Sequence, residues 1–220
     1  MARKTLTPSA IVDAAIAIAA RSEPGGLTGR VLGDELGVDR SAVWRHFKDQ
    51  DALLRAVGDR LLTMALEAVP AGLAPQDRMM ALARALVGAF VAHPHIGAVL
   101  GGRTTQGPGE FAVVEFSLQA LREAGVPADQ IARQQRMIAD TILGYASLRA
   151  GQELLPPEVR RSDRQAWAGA YAVASPETYP AIAEHLMDLA AVSDDDVLEA
   201  LLDALWAAVR AVIDLHAPKD

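Results

Sequence analysis

The chain has 220 residues, of which 51% are hydrophobic, and its formal net charge is −7. This length and composition indicate one large or two small folded domains and exclude a disordered chain. The absence of cysteine excludes disulfides, cysteine nucleophiles and thiolate metal sites. Because no apolar stretch is long enough to span a membrane and no secretory signal is expected, we predict a cytoplasmic protein with no membrane partner.

The charges are unevenly distributed along the chain. Residues 1–48 carry seven basic and five acidic side chains, a net charge of +2, which leaves −9 for the remainder. A mildly basic head on an acidic body indicates that a polyanionic partner binds at the head only.

Nearly the whole chain is predicted to be helical. Ala and Leu abound, aromatic residues make up only 5%, and no stretch alternates with the period of a strand. Thr7-Pro8 begins the first helix, which ends before Pro24-Gly25-Gly26. Later helices are expected at about residues 29–36, with Thr28 as N-cap, and at 40–47, 50–69, 77–92, 110–124, 129–150, 164–174, 180–191 and 194–216. A short segment at 96–100 runs into the loop 101–109. The predicted fold class is therefore all-α.

The stretch 28–48 has the pattern of a helix-turn-helix. Gly33 is small enough to let a second helix approach closely, and Gly37 permits a sharp turn with positive φ. Val43 and Phe47, four residues apart, are expected to bury the inner face of the second helix, which is the right width for the major groove of DNA. The side chains left on or beside its outer face are those of Arg40, Ser41, Trp44, Arg45 and His46.

Residues 5–60 resemble the DNA-binding head of the TetR family of bacterial transcription regulators. The match covers LTPSAIVDAAIAIAA and GLTGRVLGDELGVDRSAVWRHFKDQDALLRAV, with about a dozen positions in the same order and spacing. Three positions depart from the usual family pattern: Trp44 replaces Tyr, Gly29 a helix former and Gly33 an alanine. The resemblance implies a small three-helix head at 1–50, a linking helix at about 50–69, and a larger helical ligand-binding and dimerisation domain at 70–220.

The resemblance also implies roles for residues of the head. Side chains that donate to phosphate oxygens are expected at Thr28, Trp44, His46 and Lys48. Arg40, Ser41 and Arg45 are the expected base readers, Ala42 is a candidate contact to a thymine methyl, and Arg3 and Lys4 are expected to reach phosphate or a minor groove.

The body is similar to the ligand domain of the tetracycline-repressor type over about residues 90–150. The similarity lies in His93, in Gly102-Arg103-Thr104 and in Thr141-Ile142-Leu143-Gly144. The histidine that holds drug-bound magnesium in that repressor falls near Leu100 here. We therefore expect no magnesium–tetracycline ligand. Because His93 and His95 have no evident third ligand, we expect no metal, and no cofactor is expected.

An effector pocket is expected in the body, because apolar and polar side chains recur there at helical spacing. The candidate residues are Arg103, Phe111, Glu115, Leu118, Gln119, Met137, Asp140, Thr141, Gly144, Tyr145, Trp167 and Tyr171. The loop 101–109 is expected to gate this pocket, with Arg103 as a contact for an anionic ligand.

The sequence thus predicts a transcriptional regulator, with repression as the leading mode. A homodimer would bind a palindromic DNA operator, because one head makes few contacts and two heads read two half-sites. The helices at 129–150 and 194–216 would form the dimer interface, and a small-molecule effector would release the DNA. Two alternatives remain open: an activator of the same family, and an all-helical metal-dependent enzyme that uses His93 and His95.

Overall fold

The computed structural model describes residues 6–21, 27–166 and 169–217. These residues form eleven helices and no strand, which confirms the predicted all-α class. The helices are α1 Pro8–Ala19, α2 Gly29–Leu36, α3 Arg40–Val43, α4 Gln50–Glu67, α5 Pro75–Ala92, α6 Pro94–Leu100, α7 Pro108–Glu123, α8 Ala128–Glu153, α9 Pro157–Ala166, α10 Pro180–Ala191 and α11 Asp194–His216. None of the described helices is long and apolar enough to cross a membrane.

Side-chain oxygens cap the first four helices. The hydroxyl of Thr7 accepts from the N–H of Ala10, and that of Thr28 accepts from the N–H of Val31. The carboxylates of Asp39 and Asp49 cap α3 and α4 in the same way. Each such bond satisfies one of the N–H groups that a helix start leaves without an internal partner.

The prediction of a helix over residues 40–47 is correct for residues 40–43 and wrong for residues 44–47. Regular α-helix ends at Val43, and the chain continues through Trp44, Arg45 and His46 as turns. The N–H of His46 donates to the carbonyl of Val43 over 3.0 Å, which is the tighter i→i+3 spacing. Val, Trp, His and Phe are weak helix formers, and the next cap follows at Asp49, so little favours further regular turns.

The predicted helix at 164–174 is also wrong. The helix runs instead from Pro157 to Ala166, and residues 169–173 form turns. Pro157 fits the first helical position because its ring fixes φ and the missing N–H has no partner there in any case. Gly169 lies in the turns that follow, where its N–H donates to the carbonyl of Gln165 over 2.8 Å.

The chain divides into two compact units, Met1–Leu154 with Ala208–Asp220, and Leu155–Ala207. In the first unit, the head has a core of fully buried side chains from α1, α2, α3 and α4: Ile11, Leu32, Val43, Leu53, Val57 and Leu61. The head and helices α4 to α8 belong to this one unit. The second unit contains α9, α10 and the first part of α11.

Candidate nucleic-acid interface and ligand cavity

The turn between α2 and α3 has the geometry that its glycines predict. Gly37 adopts a left-handed conformation with φ of 64° and caps α2. At Gly33, a Cβ atom would lie 2.9 Å from the carbonyl oxygen of Val38 and 3.2 Å from the backbone nitrogen of Arg40. The backbone of α3 therefore approaches α2 as closely as predicted for a position without a side chain.

The short helix α3 and the turn after it have one buried and one exposed face. Val43 and Phe47 are buried, which confirms the predicted inner face. Ala42 is half-buried. The remaining predicted DNA-contacting side chains of the described head are exposed, namely Thr28, Arg40, Ser41, Trp44, Arg45, His46 and Lys48. Arg3 and Lys4 lie outside the described residues.

Trp44 combines exposure with a defined packing position. The residue is 36% exposed, yet a Cβ atom on Gly29 would lie 2.7 Å from both Cζ2 and Nε1 of its indole ring. The indole therefore lies over the first turn of α2, beside the Thr28 cap. Two separate departures from the family pattern, glycine at 29 and tryptophan at 44, are thus one packing arrangement.

Asp39 holds the start of α3. Its carboxylate accepts from the N–H of Ser41 over 2.7 Å. The hydrogen bond from the side chain of Ser41 contributes most to lowering the pKa of Asp39 below its ordinary value of 3.8, and the hydrogen bond from the backbone of Ser41 contributes next. The positive charges of Arg40 and Arg45 also lower this pKa. The carboxylate therefore stays charged at neutral pH as the cap of the predicted reading element.

Helices α4 to α8 enclose a cavity of about 470 Å³ in the first unit. The size is that of a pocket for a drug-sized molecule. Its apolar wall comes from Leu62, Met79, Leu82, Ala83, Leu86, Phe90, Leu100, Val113, Val114, Ile138, Ala139, Ile142 and Leu143. Polar side chains line the rest: Arg103, Thr104, Thr105, Glu110, Ser117, Gln135, Arg136 and Asp140.

The cavity includes some of the predicted pocket residues and leaves out others. Arg103 and Asp140 line it. The predicted residues on α7 and α8 lie beside the lining positions: Phe111, Glu115, Leu118 and Gln119 on α7, and Met137, Thr141, Gly144 and Tyr145 on α8. On α7 the cavity is lined by residues 110, 113, 114 and 117. The predicted residues are therefore displaced by about one position along the helix and lie on a neighbouring face. Tyr171 lies in a turn of the second unit, and Trp167 lies outside the described residues.

Asp59, which sequence reasoning missed, connects α4 to the start of α7. Helix α7 begins at Pro108 after Gly107, a residue that has no side chain to cap it. The carboxylate of Asp59 supplies the cap instead, because it accepts from the N–H groups of Gly109 over 3.0 Å and of Glu110 over 2.9 Å. The side chain of Asp59 is buried, so these bonds are shielded from water.

A threonine at the cavity wall extends this connection. The hydroxyl of Thr105 lies 2.9 Å from Oδ1 of Asp59 and 2.9 Å from Oε2 of Glu110. The same Oε2 accepts from the backbone N–H groups of Thr105 and Gln106. The loop that lines the cavity is therefore hydrogen-bonded to both α4 and α7.

A second connection joins this loop to the first turn of α4. Arg103 donates to Oδ1 of Asp51, and Arg55 donates to Oδ2 of Asp51 over 2.8 Å. Arg55 also donates to the carbonyl of Thr104 over 2.6 Å. The hydrogen bond from Arg55, which contributes most, and the hydrogen bond from Arg103 hold the pKa of Asp51 below its ordinary value of 3.8. Asp51, which both arginines contact, is three residues after Lys48, at the point where the head ends.

The two histidines of the enzyme alternative lie around the start of α6. Nδ1 of His93 is 2.8 Å from the carbonyl oxygen of Ala89, and Nε2 of His95 is buried without a hydrogen-bond partner. Over the described ranges, no three His, Cys, Asp or Glu side chains are grouped so that they could hold a metal ion.

An all-helical chain that combines a helix-turn-helix with an internal cavity has the architecture of a ligand-binding transcription regulator. Residues 73–213 match the family described as tetracyclin repressor-like, C-terminal domain. This match spans more than half of the chain, and the chain belongs to this family of TetR-type transcriptional regulators. No curated protein sequence matches the chain.

Several solved structures similar to this chain come from Streptomyces coelicolor. The transcriptional regulator SCO7222, a TetR, is 26% identical over 94% of this chain and 99% of its own, with a TM-score of 0.76. The fold is shared with apo ActR, at 21% identity over 98% and 100% of the two chains and a TM-score of 0.80. ActR in complex with actinorhodin gives 20% identity over 95% and 99%, and a TM-score of 0.79.

Proposed function

We propose that this regulator is a repressor that binds a palindromic operator as a homodimer and is released by a small-molecule effector. The observation that carries the proposal is the exposed cluster Arg40, Ser41 and Arg45, held opposite a buried Val43 and Phe47. Since the partner would be DNA, we also propose that the protein works in the cytoplasm.

The chemistry of the exposed cluster suits base reading. An arginine guanidinium can donate to both O6 and N7 of guanine, and a serine hydroxyl can bond to several bases. Thr28, Trp44, His46 and Lys48 surround the cluster with donors suited to phosphate oxygens. We assign Arg40, Ser41 and Arg45 to the bases and the surrounding four residues to the backbone, with Ala42 against a thymine methyl.

Dimerisation would place two such heads on one operator. Leu148 on α8 is 61% exposed and Leu215 near the end of α11 is 77% exposed. We expect a second copy of the chain to cover these two leucines. We propose that α8 and α11 form the two-fold interface, as the resemblance to the family implies.

The cavity would bind the effector. ActR, which shares the fold, was solved with actinorhodin bound. In the present chain the cavity-lining loop is bonded to α4 through Asp51 and Asp59. A ligand that moves this loop would change the position of α4 and hence of the head. Ligand and DNA would then oppose each other with a coupling of about 1–3 kcal/mol, or roughly 5- to 150-fold in affinity.

The experiment is a selection of bound fragments from random duplex DNA at ~150 mM salt, where non-specific phosphate binding is weakened. The wild-type protein and the Arg40→Ala, Arg45→Ala double variant are selected in parallel. We expect an enriched palindrome for the wild type and a loss of that enrichment for the variant. The same palindrome from both proteins would contradict the assignment of the base readers.

A further inference from the structure

We infer that the effector of the cavity is an organic anion with an apolar body, and that its anionic group competes with Asp51 for the guanidinium of Arg103. The inference rests on the proposed effector function of the cavity and names the ligand class and the switch residues. Arg103 lines the cavity and at the same time donates to Asp51 in the first turn of α4.

The distribution of charge around the cavity points to Arg103. Arg136 and Asp140 both border the cavity, but their side chains are 77% and 60% exposed and bond to each other at 2.7 Å, so Arg136 already has a counter-charge in a largely solvated ion pair. Oε2 of Glu110 already accepts three hydrogen bonds from the loop. Asp51, the carboxylate that faces Arg103, is not among the lining residues. The cavity therefore contains a guanidinium whose counter-charge lies outside its wall.

The exchange of partners leaves no charge unpaired. Nη2 of Arg103 donates to Asp51, while a guanidinium has five N–H donors in a planar fork that fits a carboxylate or sulfonate. When an anion takes Arg103, Asp51 keeps its 2.8 Å bond from Arg55. The side chain of Arg103 is 34% exposed, so its position is not fixed by close packing.

The apolar lining of the cavity indicates that the part of the ligand away from its anionic group is apolar. Thirteen of the lining side chains are aliphatic, Met or Phe, and the loop adds Arg103, Thr104 and Thr105 to the lining. In such a site, burial of an apolar body supplies affinity and one charged group fixes orientation. The consequence for regulation is direct, because a ligand held by Arg103 removes one of the bonds that join the loop to α4.

Two fluorescent probes with the same ring skeleton test this inference on the full chain. The anion is 1-anilinonaphthalene-8-sulfonate and its neutral counterpart is N-phenyl-1-naphthylamine. Arg103→Gln is expected to weaken binding of the anion by about tenfold, the value of one hydrogen bond to a charged group, and to affect the neutral probe much less. Arg103→Lys keeps the charge and should retain part of the affinity. Asp51→Asn removes the competitor and should tighten the anion several-fold.

Two controls separate the possible results. Arg122→Gln removes an exposed charge on α7 away from the cavity and should leave both affinities unchanged. Ala139→Trp fills the cavity and should block both probes. If both probes bind and Ala139→Trp blocks them, but Arg103→Gln spares the anion or Asp51→Asn weakens it, the anion inference is overturned and the cavity remains a ligand site. If neither probe binds, or Ala139→Trp blocks neither, the proposed effector function falls as well.

Discussion

The indole of Trp44 lies where a side chain at Gly29 would have to be, with 2.7 Å between a Cβ at that position and the ring. Gly29→Ala therefore forces the indole away from the start of α2. We expect DNA affinity to fall by about tenfold, as for the loss of one charge-assisted hydrogen bond, while the free energy of unfolding changes by less than about 1 kcal/mol. Anisotropy titration of a bound duplex and urea unfolding measure the two effects.

The matched control for this prediction is Gly88→Ala. Gly88 is an exposed position inside α5, and a Cβ there meets no atom within 4 Å. Alanine should raise the free energy of unfolding by about 0.5–1 kcal/mol and leave DNA affinity unchanged. Wild-type DNA affinity in Gly29→Ala would show that the position of Trp44 plays no part in DNA binding.

The left-handed conformation of Gly37 gives a second prediction. An L side chain at φ of 64° is strained even though the space around Gly37 is open. Gly37→Ala should lower the free energy of unfolding by about 1 kcal/mol. Gly37→Asn should cost less, because asparagine tolerates this conformation better than alanine. Equal losses in the two variants would point to a cause other than backbone strain.

Asp59 is expected to stabilise the start of α7 and the cavity-lining loop together. Asp59→Ala leaves the N–H groups of Gly109 and Glu110 and the hydroxyl of Thr105 without this acceptor. We expect a loss of about 1–3 kcal/mol in the free energy of unfolding, measured in urea. Asp59→Asn keeps one acceptor oxygen and should lose less. A variant Asp59→Ala as stable as the wild type would contradict this role.

Because a carboxylate caps α3, the free energy of unfolding is expected to depend on pH in the acid range. The pKa of Asp39 is lowered in the folded state below 3.8, so its stabilising effect is complete above that value and is lost as pH falls through the folded pKa. Asp39→Asn keeps a capping oxygen but does not titrate. The difference in unfolding free energy between wild type and Asp39→Asn should therefore be constant at neutral pH and shift against the wild type below about pH 4. A difference independent of pH down to the acid transition would refute the effect.

Local patterns in the sequence were sufficient for the helix-turn-helix. The caps at Thr7 and Thr28, the positive φ of Gly37 and the burial of Val43 and Phe47 all depend on residues within a few positions of each other. Short-range geometry decides such features, so spacing alone predicts them. The α-helix predicted to continue beyond Val43 is not formed, because weak helix formers and the early cap of the next helix leave that segment as turns.

The candidate site in the body depended on contacts that no local pattern records. Asp59 caps a helix that starts some fifty residues later, and the Trp44 indole packs on a residue from the preceding helix. The lining face of α7 differs by one residue from the predicted face, because the rotation of a helix follows from all of its neighbours. Arg103 was predicted because a charged side chain in a glycine-rich loop stands out at the level of sequence.

The most direct test of DNA reading compares one selected palindromic duplex with a shuffled duplex of the same composition. Fluorescence anisotropy at ~150 mM salt gives both affinities, and sedimentation gives the number of chains on each duplex. We predict that two chains bind the palindrome at least about 10³-fold more tightly than the shuffled sequence. Equal affinity for the two duplexes, or one chain bound to the palindrome, would contradict a dimeric reader of two half-sites.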